Sequence, residues 1–261
     1  MDLQNRTAIV TGGARGIGRG IACELARRGV RVAVADLPSV AAERQQTLDE
    51  IARLGSEAIA VDVDVRDFAQ AQAMVRAAAD RWGQVDILVN NAGVISVGLV
   101  AMLAEDDWDR VLDVNLKGTF LCSKAVAPHM MERRSGRIVN ISSRAGKSGS
   151  AGVAHYCASK WGVIGFTQSL AHEMAPFDVT VNAVCPGEVY SYMWREVLNP
   201  AIAAARGVAD PRDAFDQFVK ERTPLGRPQT AEDIGRAVVF LCESDNITGE
   251  ALNVTGGSEM G

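Results

Sequence analysis

Tyr156 and Lys160 stand four residues apart in the run Tyr156-Cys157-Ala158-Ser159-Lys160. Four residues is one helical turn, so on a helix the phenol and the ammonium project from one face as neighbours. A free phenol, with a pKa of about 10, is a poor proton donor or acceptor at neutral pH. A fixed positive charge beside it stabilises the phenolate and draws that pKa down. The pair therefore offers a general acid/base that can pass a proton to or from a substrate oxygen. The same spacing occurs in solvated surface helices, so its meaning depends on what the rest of the chain brings to it.

The elements that would position such a pair begin at the N-terminus. Thr7-Ala8-Ile9-Val10 is a short apolar run with β-branched members and predicts a buried strand. It leads directly into Thr11-Gly12-Gly13-Ala14-Arg15-Gly16-Ile17-Gly18. Ile17, Ile21 and Leu25 then recur every four residues up to Gly29, which predicts a helix with a glycine stop. A glycine-rich turn between strand and helix is a dinucleotide cradle. Gly12 permits the tight turn, Gly16 lets the backbone approach a pyrophosphate, and Gly18 lets helix and strand pack closely. Free N–H groups at the helix N-terminus favour the phosphates. A second strand, Val30–Ala35, ends in Asp36. A carboxylate there can accept hydrogen bonds from the adenosine ribose hydroxyls and repels a 2′-phosphate, so it predicts NAD over NADP. Arg15 pulls the other way, since a cation beside Gly16 could pair with that phosphate; the position of Asp36 at the ribose carries more weight.

Strand-like and helix-like segments alternate through nearly all of the chain. Strands are predicted at Ala58–Val63, Asp86–Asn90, Arg137–Ile141, Val179–Val184 and Ala251–Val254. Helices are predicted around Val40–Leu54, Phe68–Trp82, Trp108–Glu132, His155–Ala175 and Ala231–Cys242. The alternation predicts an α/β fold, a single-domain Rossmann-like doubly wound parallel sheet of about seven strands with helices on both faces. No linker, charge block or internal repeat divides residues 1–261. In such a sheet, chemistry belongs to the loops after the strand carboxyl ends.

Composition mostly excludes. A net charge of −5 without a basic cluster argues against a nucleic-acid partner. No apolar run nears the ~20 residues of a membrane span, and the N-terminus lacks a signal-peptide pattern. Cys23, Cys122, Cys157, Cys185 and Cys242 are scattered, without metal-ligand spacing, and His129, His155 and His172 are no better placed. No catalytic metal and a cytoplasmic location are expected.

Asn90-Asn91-Ala92-Gly93 follows one predicted strand, and Asn115 sits in the next long helix within Asp113-Val114-Asn115-Leu116-Lys117-Gly118. Ser142-Ser143 follow the strand Arg137–Ile141, Tyr156 comes thirteen residues after Ser143, and Pro186-Gly187 follow the strand ending at Cys185. With these motifs in this order, the chain resembles the short-chain dehydrogenase/reductase family over essentially its whole length. The resemblance implies that Tyr156 is the general acid/base and that Lys160 lowers its pKa and bonds the nicotinamide ribose. It also implies that Ser143, selected over Ser142 by the spacing to Tyr156, polarises the substrate oxygen, and that Asn115 holds a water linking Lys160 to solvent. Asn91, Ala92 and Gly93 would line the adenosine ribose, and Asp64 and Val65 the adenine, with Asp62 leaving that register open. Pro186, Gly187, Val189 and Ser191 match the segment beside the carboxamide, Ser191 standing where the family usually has threonine. Thr255 stands where aspartate is commoner. The reaction so implied is hydride transfer between NAD(H) and an alcohol carbon, with the cofactor carrying the hydride.

Substrate choice should lie in a lid segment, residues 190–228. Trp194, Phe215 and Phe218 there either close over the substrate or pack the lid onto the body. Lys147, His155 and Glu188 are polar candidates near Tyr156 and suggest a hydroxyl-bearing substrate. The stretches Ser143–Ser150 and Leu252–Gly257 resemble sugar-alcohol members of the family, and Met193-Trp194 resembles diol members. An NAD-dependent dehydrogenase of a small polyol, diol or other secondary alcohol leads. The alternatives are a 3-oxoacyl-carrier-protein reductase, disfavoured by Asp36 and the net charge, and a non-catalytic NAD(H)-sensing protein, which has no need of Ser143, Tyr156 and Lys160 together. The family resemblance implies a homotetramer pairing the long helices, with Ala158, Gly162 and Gly165 allowing close approach.

Overall fold

Successive strand residues point to opposite faces of a sheet, and here both faces are buried. Val10, Val32 and Val34 pack with Ile21, Leu25, Ile234 and Val238 on one side, and Ile9, Ala33 and Leu88 with Met74, Val126 and Met130 on the other. That two-sided burial is why the strand runs are continuously apolar. In the computed structural model, which describes residues 1–204 and 206–261, seven strands form one all-parallel sheet. They are β1 (Thr7–Thr11), β2 (Arg31–Asp36), β3 (Ala58–Asp62), β4 (Ile87–Asn90), β5 (Gly136–Ile141), β6 (Val179–Pro186) and β7 (Ala251–Val254). Their order across the sheet is β3-β2-β1-β4-β5-β6-β7. The order reverses between β1 and β4, where Val10 is in register with Val89, and the crevice outside this switch point is where such a sheet binds ligands.

The helices are α1 (Gly16–Arg27), α2 (Ala41–Arg53), α3 (Phe68–Trp82), α4 (Glu105–Leu112), α5 (Gly118–Arg133), α6 (Ala154–Met174), α7 (Asn199–Arg206), α8 (Pro211–Arg222) and α9 (Ala231–Glu243). Local chemistry fixes their starts. The Asp67 carboxylate accepts the N–H groups of Ala69 and Gln70 at the head of α3, and Thr230 and Asp233 form a capping box on α9.

The helix expected over Trp108–Glu132 is interrupted. Residues Asp113–Lys117 form a π-helical turn between α4 and α5, and Asn115 lies inside it. Its side chain leaves the helix to bond a neighbouring loop, which compensates for the irregular ladder. In the lid segment, a π-turn at Trp194–Leu198 leads into α7, and α8 follows. Its aromatics chiefly pack on one another: the Phe215 ring lies 4.8 Å from that of Tyr190 and 5.1 Å from that of Trp194.

Candidate active site

One cavity of about 900 Å³ runs along the carboxyl ends of the strands. Its floor at one end is the glycine turn. Gly12 (φ +62°) and Gly16 (φ +56°) occupy the left-handed region that residues with a Cβ avoid, and a Cβ on Gly18 would overlap the Gly12 carbonyl. Asn91 braces this turn by donating its amide to the carbonyls of Thr11 and Gly12, both at 3.0 Å. The Thr11 hydroxyl in turn accepts the N–H groups of Asn91 and Ala92. Neither Thr11 nor this bracing role for Asn91 emerges from the sequence alone, because both depend on β1 and β4 being adjacent.

Asp36 lines the cavity at the end of β2, its carboxylate accepting the N–H groups of Ala14 at 3.0 Å and Leu37 at 2.9 Å. Arg15 also lines it but is engaged elsewhere, its guanidinium stacked 3.7 Å above the Tyr192 ring and 3.7 Å from the Glu43 carboxylate. Asp64, Val65 and Arg66 form the adjoining wall. The Arg66 guanidinium clamps both oxygens of Asp64 and holds its carboxyl below the usual range. Asp62 instead pairs with the buried Arg44 at 2.5 Å.

The other end is built from β5, α6 and the loop after β6. Ser142 and Ser143 leave β5 in opposite senses. The Ser142 hydroxyl donates to the Lys160 carbonyl at 2.9 Å, a structural bond, while the Ser143 hydroxyl accepts the Ala145 N–H and borders the cavity with Tyr156. Burial pushes the Tyr156 phenol up to about 12, against the opposing pull of the Ser143 hydroxyl and the Arg144 charge. Lys160 is pushed down to about 8 by its own burial. Its Nζ donates to the Ile141 carbonyl at 2.8 Å and lies 5.7 Å from the centre of the Tyr156 ring. Asn115 is fully buried. It clasps Val94 through both the N–H (2.8 Å) and the carbonyl (3.0 Å), and it donates to the Ser159 hydroxyl. Ile17, Gly93, Pro186, Gly187, Val189 and Ser191 border the same cavity.

Three polar candidates are placed differently from expectation. Lys147 turns away from the cavity and donates to the carbonyls of Ala251 and Gly261, both at 2.7 Å. His155, although next to Tyr156, is buried against Ser96, with Nε2 2.8 Å from its hydroxyl, and burial holds its pKa down. Glu188 borders the cavity, but its carboxylate is buried, 2.7 Å from Nε of Arg144. Side-chain direction at these positions is set by partners distant in sequence. Trp194 does border the cavity, with Phe218 beside it at 5.2 Å. Arg144 was missed, although it directly follows Ser143.

Among the described residues no cluster of histidine, cysteine or acidic side chains could hold a metal, and all five cysteines are buried thiols. No helix is long and apolar enough to cross a membrane. A left-handed glycine turn at a helix head, a carboxylate at the end of β2 and a phenol and hydroxyl at the far end fit an extended dinucleotide whose reactive ring meets a small alcohol or carbonyl.

The comparisons with known proteins agree with that fit. The family model for short chain dehydrogenases matches residues 6–201. (2S)-[(R)-hydroxy(phenyl)methyl]succinyl-CoA dehydrogenase subunit of Thauera aromatica is 38% identical over 262 residues, covering 100% of this chain and 99% of its own. Galactitol 2-dehydrogenase of Agrobacterium fabrum is 39% identical over 263 residues, covering 100% of both chains. 3-Oxoacyl-[acyl-carrier-protein] reductase of Staphylococcus aureus is 38% identical over 261 residues, covering 98% of each. The crystal structure of levodione reductase superimposes with a TM-score of 0.90 at 28% identity, covering 97% of each chain. The chain belongs to the short-chain dehydrogenase family, oxidoreductases that use a nicotinamide dinucleotide.

Proposed function

We propose that this protein is an NAD-dependent dehydrogenase that interconverts a secondary alcohol and its ketone. The observation that carries the reading is that the glycine turn, Asp36, Ser143, Tyr156 and Lys160 all border one continuous cavity. In this reading Gly12, Gly16, Ile17 and Gly18 hold the pyrophosphate, Asp36 the adenosine ribose, and Asp64 and Val65 the adenine. Asn91, Ala92 and Gly93 keep the backbone close to the cofactor, and Pro186, Gly187, Val189 and Ser191 hold the carboxamide. When bound, the nicotinamide takes or gives the hydride.

The chain's own residues move the proton. Ser143 and Tyr156 hydrogen-bond the substrate oxygen and share its developing charge, and Tyr156 passes the proton. A phenol raised to about 12 is protonated at neutral pH and exchanges its proton poorly until a nearby positive charge draws that value down. Oxidation requires a nearby cation, and Lys160 is the ammonium within reach if it exchanges its bond to Ile141. Asn115 positions the loop at Val94 and, through Ser159, the turn of α6 between Tyr156 and Lys160.

Polyol, diol and simpler secondary alcohols all remain within this reading, and galactitol 2-dehydrogenase as a relative supports the first. The walls near Tyr156 favour a less polar body. Lys147, His155 and Glu188 are spent elsewhere, and Val97, Val153 and Trp194 are apolar. The same walls favour a second reading, a 3-oxoacyl-carrier-protein reductase, which the Staphylococcus aureus relative supports equally. A panel of polyols, diols, aryl and alkyl secondary alcohols with NAD, set against 3-oxoacyl thioesters with NADPH, separates the two. Turnover confined to thioesters with NADPH overturns the first reading.

We also propose a cytoplasmic homotetramer. Trp161 (52% exposed) and Phe120 (42%) stand out on α6 and α5, which suits a subunit interface. A Cβ on Gly162 would meet Leu116 of the same chain at 2.7 Å, whereas Gly165 faces open space, which favours Gly165 as the point of close approach. Light scattering at micromolar concentration should give four chains; a monomer contradicts the proposal.

A further inference from the structure

Beyond Ser143 and Tyr156 the cavity is largely apolar, with Ile95, Val97, Val153, Met193, Trp194 and Phe218 along it, and the guanidinium directly after Ser143 in the chain is set into this lining. That group is Arg144, with a side chain 17% exposed. Its Nε lies 2.7 Å from Oε1 of Glu188, whose side chain has no exposure at all. The other oxygen of Glu188 accepts hydroxyl bonds from Thr223 at 3.4 Å and Ser258 at 3.3 Å. The loop after β6, the end of α8 and the C-terminal turn thus converge to fix one carboxylate, and that carboxylate fixes one arginine.

A buried ion pair is a weak device for stability, since apolar replacements of similar volume are often as stable. Its place beside the reacting groups therefore calls for another account. A guanidinium carries five N–H donors in a fixed fork, matched to a carboxylate. Nε forms an ion pair with Glu188 without hydrogen-bond geometry, and no nitrogen of the guanidinium donates a hydrogen bond to any group among the described residues. Glu188 offsets the charge of Arg144 and Asp107 that of Arg110; Arg222 also borders the cavity, whereas its other acids, Asp36 and Asp64, follow β2 and β3 on the far side of the switch point.

We propose that Arg144, oriented by Glu188, binds a carboxylate on the substrate, so that the pocket takes a hydroxy acid or keto acid with an apolar body. The proposal rests on the dehydrogenase reading for the reaction, but not for the binding. Arg144 is then a substrate-binding residue and Glu188 a positioning residue that fixes the edge it presents.

Two measurements test it, one without turnover. Calorimetry on the NADH-loaded protein compares 3-phenylpropanoate with its amide. Steady-state kinetics with NAD compares 3-hydroxy-3-phenylpropanoate with its methyl ester. The parent should favour the acid about tenfold or more in both, as expected for a charge-assisted hydrogen bond. Arg144→Gln should abolish that preference through Kd and KM. Because Arg144→Gln leaves Glu188 buried without its cation and can unfold the chain, the double variant Arg144→Gln/Glu188→Gln serves as the neutral replacement. Equal affinity for acid and amide in the parent, no binding of either, or an acid preference that survives in the double variant overturns the proposal. Arg144-dependent binding of the acid without oxidation of any alcohol leaves the proposal standing and removes the dehydrogenase reading. Oxidation of acid and ester alike does the reverse.

Discussion

Lys160 donates its Nζ to the main-chain carbonyl of Ile141 at 2.8 Å, and the centre of the Tyr156 ring lies 5.7 Å from that nitrogen. The ammonium is tied to the end of β5, just before the two serines, and is buried there. Burial lowers its pKa from 10.5 to about 8. A lysine whose folded value is depressed contributes least to stability below that value. Between pH about 8 and about 10.5 the unfolded chain holds more of this proton than the folded one, so stability rises with pH across that window. Compared with Lys160→Met, the cofactor-free parent should therefore gain about 2 kcal/mol of stability between pH ~7 and pH ~10. Urea unfolding of both proteins at the two pH values reads this directly. A difference independent of pH contradicts the burial account of Lys160.

Asp36 should set the cofactor. At ~4 Å and an effective dielectric of ~20, two like unit charges repel by roughly 4 kcal/mol. Solvent around this half-buried carboxylate should leave ~2–3 kcal/mol, or about two orders of magnitude in kcat/KM in favour of NAD. Asp36→Ser should erase most of that preference by improving KM for NADP. Comparable efficiencies with both cofactors in the parent would shift the weight to Arg15, freed from Tyr192 and Glu43.

Asn115 makes three buried side-chain bonds, two to the backbone of Val94 and one to Ser159. Asn115→Leu fills the space and leaves those partners unsatisfied, which should cost about 2–4 kcal/mol in stability. Chemical denaturation measures it, and a loss within experimental error shows that the loop at Val94 is held by other means.

Much of the fold was legible because its signals are local. The strand, glycine turn and helix from Thr7 to Gly29 are contiguous, and so is the turn of helix joining Tyr156 to Lys160. The break in the helix at Asp113–Lys117 was not, since the run through Val111, Val114 and Leu116 stays compatible with continuous helix; only the loop at Val94, brought in by β4, gives Asn115 its reason to leave. For Glu188, Lys147 and His155, the partners were hidden for the same kind of reason. Each is polar and near Tyr156 in the chain order or in the sheet, but each turns towards a partner far away in sequence: Arg144, the carbonyls of Ala251 and Gly261, and Ser96. The bond from Lys160 to the carbonyl of Ile141 was likewise hidden, since it joins α6 to the end of β5.

The central claim is that Tyr156 moves the proton in alcohol–ketone interconversion, and Tyr156→Phe tests it most directly. The substitution deletes one hydroxyl and little else. Initial rates of NADH formation from the best secondary alcohol found for the parent are compared, together with NADH affinity by fluorescence. The account predicts unchanged cofactor affinity within about threefold and a loss of ~10²–10⁴-fold in kcat. Near-parent turnover by Tyr156→Phe contradicts it.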